Sequence, residues 1–176
     1  LISLNHSLFT HLTHSSTKNE MQKTKDFNSE KSSKINRLKY CSEDPCKLSF
    51  HIEKDLSEMP YLCIYMKHVD AFTGFDLYLE AEDGRPCMFR FDNKSTLSKV
   101  HMNDNECSCS MPLILKRGWN HLNLDIQNLC QSAFGVRAKT LKTLAFRPRC
   151  RIFRVFLQEK PYSHAELPRV LMLTSV

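Results

Sequence analysis

The stretch Phe75-Asp-Leu-Tyr-Leu-Glu-Ala-Glu-Asp-Gly-Arg-Pro-Cys-Met-Phe-Arg-Phe91 decides the fold. Phe75, Leu77, Leu79 and Ala81 alternate with Asp76, Tyr78 and Glu80, the period-two pattern of a strand with one buried face. Asp83-Gly84 is the strongest hairpin turn in the chain, because both residues tolerate the left-handed backbone a tight turn needs. Cys87–Phe91 then reads as the return strand. Working outward, Leu48–Glu53 alternates in the same way. Tyr61–Lys67 is a near-continuous apolar run, expected as a buried strand. Trp119–Ile126 places Leu122, Leu124 and Ile126 on one face. Leu144–Arg147 and Arg151–Leu157 are further strand candidates split by Pro148, and Val170–Thr174 closes the series. Short strands broken by turns predict an all-β sandwich or jelly roll. Two short helical signals interrupt it. Gln127–Phe134 follows Asp125 and stops at Gly135. Ser163-His-Ala-Glu166 fits a capping box that Pro168 cuts short.

The chain has 176 residues with 41% hydrophobic and 25% charged, ordinary for a globular domain and incompatible with a wholly disordered one. No apolar run approaches the roughly 20 residues of a membrane helix. Four glycines, and no GxGxxG or GxxxxGK[ST], leave nothing for a Gly-rich phosphate cradle. The expected organisation is a polar, Lys-rich tail over 1–39, flexible or ordered by a partner, and a β-sandwich over 40–176. Leu1–Ser16 lacks a charged n-region and is not read as a secretory signal. A reducing compartment is therefore expected for the eight cysteines, with Cys63 and Cys130 buried as small hydrophobes. The spacings of Cys41/Cys46 and Cys107/Cys109 are not those of zinc knuckles, and no metal or cofactor is predicted.

The net charge of +6 is uneven: +4 over 1–39, −6 over 40–115 and +8 over 116–176. Such a two-signed surface steers toward an acidic partner. Candidate contacts are Lys116, Arg117, Lys139, Lys142, Arg147, Arg149, Arg151, Arg154 and Arg169. Arg forks onto carboxylates as Lys cannot. Strand alternation sets Arg151 and Arg154 on opposite faces unless a bulge intervenes. Trp119, the only Trp, is expected in the core, because a lone large aromatic packs. Asn120 is expected to satisfy backbone groups at the Gly118 turn. The histidines sit in unrelated contexts, no nucleophile–base pair is apparent, and the Glu82-Asp83 and Glu43-Asp44 pairs lie at turns. No RRM, KH or zinc-finger signature supports nucleic-acid binding.

Five ordered segments carry a resemblance. They are Met111-Pro112, Gly118-Trp119-Asn120, the helix ending at Gly135, Cys150-Arg151-Ile152-Phe153-Arg154-Val155, and Tyr162-Ser163 followed by Glu166-Leu167-Pro168. In this order they resemble the family of cilia- and flagella-associated protein twenty, over about residues 59–170. Met59-Pro60 is similar to that family's Leu-Pro entry to a buried strand. The chain departs from the pattern at Phe153, where the family has an Arg. It departs again at His164-Ala165, where the family is acidic, and over residues 1–45, where the family's Gly- and aromatic-containing strands are not found. The resemblance implies a sandwich similar to carbohydrate-binding modules and a non-enzymatic building block of cilia and flagella. It implies a microtubule inner protein at the inner junction of doublet microtubules, in their lumen, that supports doublet stability and motility. Implied partners are the alpha/beta-tubulin lattice, a protein resembling Parkin co-regulated protein and other microtubule inner proteins, with no membrane and no nucleic acid. A β-sandwich adaptor or glycan-binding module with another partner is the alternative.

Overall fold

The computed structural model describes residues 2–3, 21–25, 34–38, 48–69, 72–147, 150–162 and 166. Two six-stranded sheets pack face to face. In the first, the path runs β10 (Gly118–Asp125), β5 (Tyr61–His68), β12 (Cys150–Gln158), β3 (Lys34–Leu38), β2 (Met21–Lys25), with β1 (Ile2–Ser3) also on β12. In the second, the order is β4 (Leu48–Asp55), β11 (Ala138–Phe146), β6 (Gly74–Ala81), β7 (Pro86–Asp92), β9 (Cys107–Pro112), β8 (Lys99–Met102). The strand pairs are antiparallel apart from β7 with β9. The stretch read as a tail contributes three short strands to the first sheet, β1 and β3 on β12 and β2 on β3.

The core lies between the sheets and follows the alternation. Phe75, Leu77, Leu79 and Ala81 of β6 face Leu62, Ile64 and Met66 of β5 across it, with Ile152, Val155 and Leu157 of β12. Among the described residues there is one helix, α1 (Ile126–Phe134), which packs against the core between the sheets. The Asp125 carboxylate accepts the Asn128 N–H at its start, and Gly135 takes the left-handed conformation (φ 67°) at its end. Ile126, Cys130 and Phe134 form its buried stripe, with the Phe134 ring 4.9 Å from that of Phe89.

Gly74 has no room for a side chain, since a Cβ there would fall on the Phe91 carbonyl of the neighbouring strand. Three strands differ most from expectation. β11 starts at Ala138 rather than 144, and β8 and β9 lie where no strand is predicted. Two register shifts in β11 break its alternation, so Ala138, Leu141 and Leu144 reach the core at a spacing of three. The Val170–Thr174 strand and most of the Ser163–Glu166 helical signal lie outside the described residues.

Candidate interaction face on the first sheet

The outer face of the first sheet collects the chain's unusual side chains. Register places Trp119, His121 and Asn123 of β10 beside Lys67, Tyr65 and Cys63 of β5. On the far side of β5, Arg151, Arg154 and Phe156 of β12 oppose Lys67, Tyr65 and Cys63. Arg151 and Arg154 share this face because the ladder shifts between Ile152 and Arg154, so Phe153 is a bulged extra residue. The intervening bulge, not simple alternation, sets the two guanidinium groups together.

Trp119 is not in the core. Leu122 and Leu124 take the inward positions of β10, and the odd-numbered residues face out. The half-buried indole meets the Phe153 ring edge-on, with centroids 6.1 Å apart and planes at 71°. Lys67 Nζ stands 5.7 Å from the indole centroid, and the Arg154 guanidinium lies 5.1 Å from the Phe153 ring. These are cation–π distances. An edge-on pair offers no flat platform on which a sugar ring can stack.

Below this rim sits a small second core of Cys63, Tyr65 and Phe156, all fully buried, with Phe153 and Tyr162 against it. His121 roofs it. Its imidazole stacks on Tyr65 at 4.4 Å and 3°, and its Nε2 is 2.7 Å from Cys63 Sγ. The sequence alone does not reveal this Cys–His pair, because 58 residues separate the partners. Burial pushes the Cys63 thiol up to about 12, so it holds its proton. A reactive cysteine needs the opposite, an accessible thiolate with a lowered pKa. The pair is therefore a structural contact. Burial likewise raises the Tyr65 phenol to about 12 and lowers the Arg154 guanidinium. The buried Arg154 Nε has no hydrogen-bond acceptor among the described residues.

Of the other expected contact residues, the described ones do not join this face. Lys142 pairs with Glu80 at 3.1 Å on the outer side of the second sheet. Arg147 there reaches Asp76 at 3.3 Å, which Arg90 approaches at 3.6 Å, so this fully buried carboxylate is enclosed by two cations. Both basic residues are thus engaged within the chain. Lys139 is exposed on β11, while Lys116 and Arg117 are exposed in the loop before β10. Asn120 anchors that loop: its side chain accepts from the Lys116 N–H and donates to the Lys116 and Gly118 carbonyls, all at 2.8–2.9 Å. Arg149 and Arg169 lie outside the described residues.

The resembling motifs are mostly framework. Met111 packs on the core from β9, which Pro112 ends, and Gly118 (φ 89°) turns the chain into β10. Ile152 and Val155 are core residues, and Cys150 opens β12. The Tyr162 hydroxyl donates to Glu159, and Glu166 is exposed. Ser163, Leu167 and Pro168 lie outside the described residues. Among the described residues, no three His, Cys, Asp or Glu side chains are grouped to hold a metal, and no helix is long and apolar enough to cross a membrane.

The protein-family model of the CFA20 domain matches residues 32–175. Cilia- and flagella-associated protein 20 of Chlamydomonas reinhardtii is 23% identical over 111 residues, 63% of this chain and 56% of that protein. Its namesake in Caenorhabditis briggsae is 23% identical over 129 residues, 73% of this chain and 58% of that protein. The one in Paramecium tetraurelia is again 23% identical over 111 residues. The chain spans little more than half the length of these curated relatives. With the domain model matching residues 32–175, most of the chain, the chain belongs to the CFA20 domain family.

Proposed function

We propose that this chain is a non-enzymatic structural component of cilia and flagella. In this reading it is a microtubule inner protein that bridges tubulin at the inner junction of doublet microtubules and supports their stability and motility. The observation that carries the reading is the CFA20 domain match over residues 32–175, shared with relatives named for cilia and flagella. Its partners are the alpha/beta-tubulin lattice, an inner-junction protein resembling Parkin co-regulated protein, and neighbouring microtubule inner proteins. The outer face of the first sheet supports contact with an acidic surface. Lys67, Arg151 and Arg154 lie there around the Trp119–Phe153 pair, and one buried guanidinium nitrogen has no acceptor among the described residues. Each exposed ion pair is worth only about 0–1 kcal/mol. Repetition along the lattice then supplies avidity.

The test is tomography of doublets from ciliated cells carrying the tagged full chain. Label at the inner junction, repeating with tubulin, is the expected result. Label absent from the axoneme overturns the reading and leaves a sandwich adaptor with another partner. In microtubule co-sedimentation, Arg151→Glu with Arg154→Glu is expected to weaken binding about tenfold, two modest pairs together. Lys139→Glu, on the other sheet, is the control.

A further inference from the structure

The parallel pairing of β7 with β9 sets Cys87 and Cys107 opposite each other as Cα partners. Both side chains turn into the core cluster, and both are about 2% exposed. Neighbouring strands lie about 4.8 Å apart, within the Cα separation of roughly 4.4–6.8 Å that a disulfide spans. We propose that Cys87 and Cys107 are an oxidation site, a dithiol that a peroxide converts to a cross-strand disulfide.

The surroundings distinguish the two thiols. Arg85 Nη1 lies 3.8 Å from Cys107 Sγ, so a hydrogen-bond donor is aimed at that sulfur. Burial, then the charge of Cys107 and a hydrogen bond to it, push the Cys87 thiol up to about 12. Cys107 is thus the attacking sulfur and Cys87 the resolving one. The Cys107 thiolate attacks one peroxide oxygen, the O–O bond breaks, and a sulfenic acid and hydroxide form. The Cys87 thiol then attacks that sulfur and releases water, while its proton and the one lost by Cys107 complete two waters in all. Two thiols are oxidised by two electrons and one peroxide is reduced. Both thiols are buried at rest, so the reacting form is the locally opened one, in which solvent and peroxide reach Cys107 from the sheet edge. Among the described residues, β9 is covered on that side only by β8, whose four residues are all exposed, and such a strand opens locally at low cost.

The experiment treats the folded full chain with hydrogen peroxide, blocks remaining thiols with maleimide under denaturant, and maps the digest without reductant. A peptide joining Cys87 to Cys107, two hydrogens lighter than the two thiol peptides, is expected. It disappears in Cys107→Ser and in Cys87→Ser and persists in Cys130→Ser. The oxidised chain should also melt higher than the reduced one, because the bridge closes the loop that contains β8, and reductant should reverse this. Maleimide on both thiols, a bridge from either to Cys130, or a sulfinic acid without a bridge would each overturn the proposal. The wild-type map decides it even where a Ser variant fails to fold.

Discussion

At the residue scale, Trp119 shows how a side chain's place depends on what starts its strand. Hydrophobicity alone favours the core. Gly118 enters β10 with φ 89°, and the next inward position goes to Asn120, whose buried amide ties down the preceding loop. That leaves Trp119 outside against Phe153 and under Lys67. Trp119→Ala should therefore cost about 1–2 kcal/mol in a denaturant melt, the scale of an aromatic pair with a cation–π contact. A core Trp would lose about 3–5 kcal/mol, and a loss of that size would return Trp119 to the interior. Asn120, by contrast, does what its type and position suggest. The Cys63–His121 contact is illegible in the sequence, because it depends on β10 pairing with β5 rather than on either residue's neighbours.

At the element scale, strands with regular alternation are legible and those with interruptions are not. β6 and β7 lie within one residue of their predicted ends, because a strict period-two pattern flanks a defined turn. α1 is legible from its caps, Asp125 and Gly135. β9 escapes notice because Cys-Ser-Cys-Ser alternates small residues with little hydrophobic contrast, and β8 because all four of its residues are exposed. The bulge in β12 gives a sharper test. Ile152 faces in, Phe153 and Arg154 face out, and Val155 faces in again. Deleting Phe153 restores plain alternation without moving any core residue to the other face. The deletion variant should keep its far-UV circular dichroism and lose no more than about 2 kcal/mol, from the Trp119 contact. Inserting one Ala after Val155 should instead turn Phe156 and Leu157 to the wrong faces and unfold the chain. If both variants behave alike, the bulge does not set the phase of the strand.

At the scale of the whole molecule, the sandwich class is legible but the sheet order is not, since period-two patterns name faces and not neighbours. The three early strands are the clearest case. Their composition is polar and Lys-rich, and joining the first sheet is a tertiary event that composition does not announce. Among the described residues, both hydrophobic clusters draw on side chains between Phe50 and Tyr162. Removing residues 1–39 should therefore leave the sandwich folded by circular dichroism. It should also bare one edge of β12, and an uncovered edge pairs with other chains. Concentration-dependent association in sedimentation velocity is the expected sign, and a molten truncated chain would mean that the early strands are part of the cooperative unit.

The pairing of β4 with β11 joins segments some 90 residues apart, as the contact of His51 with Thr143 marks. On a ribosome adding about 5–20 residues per second, β4 and the apolar β5 emerge on the order of ten seconds before β11 and β12. Throughout that interval the Leu62-Cys63-Ile64-Tyr65-Met66 run, destined for the interior, lacks the β12 strand that pairs along one of its edges. The half-made chain should therefore need a chaperone most before β12 emerges, whatever the stability of the finished sandwich.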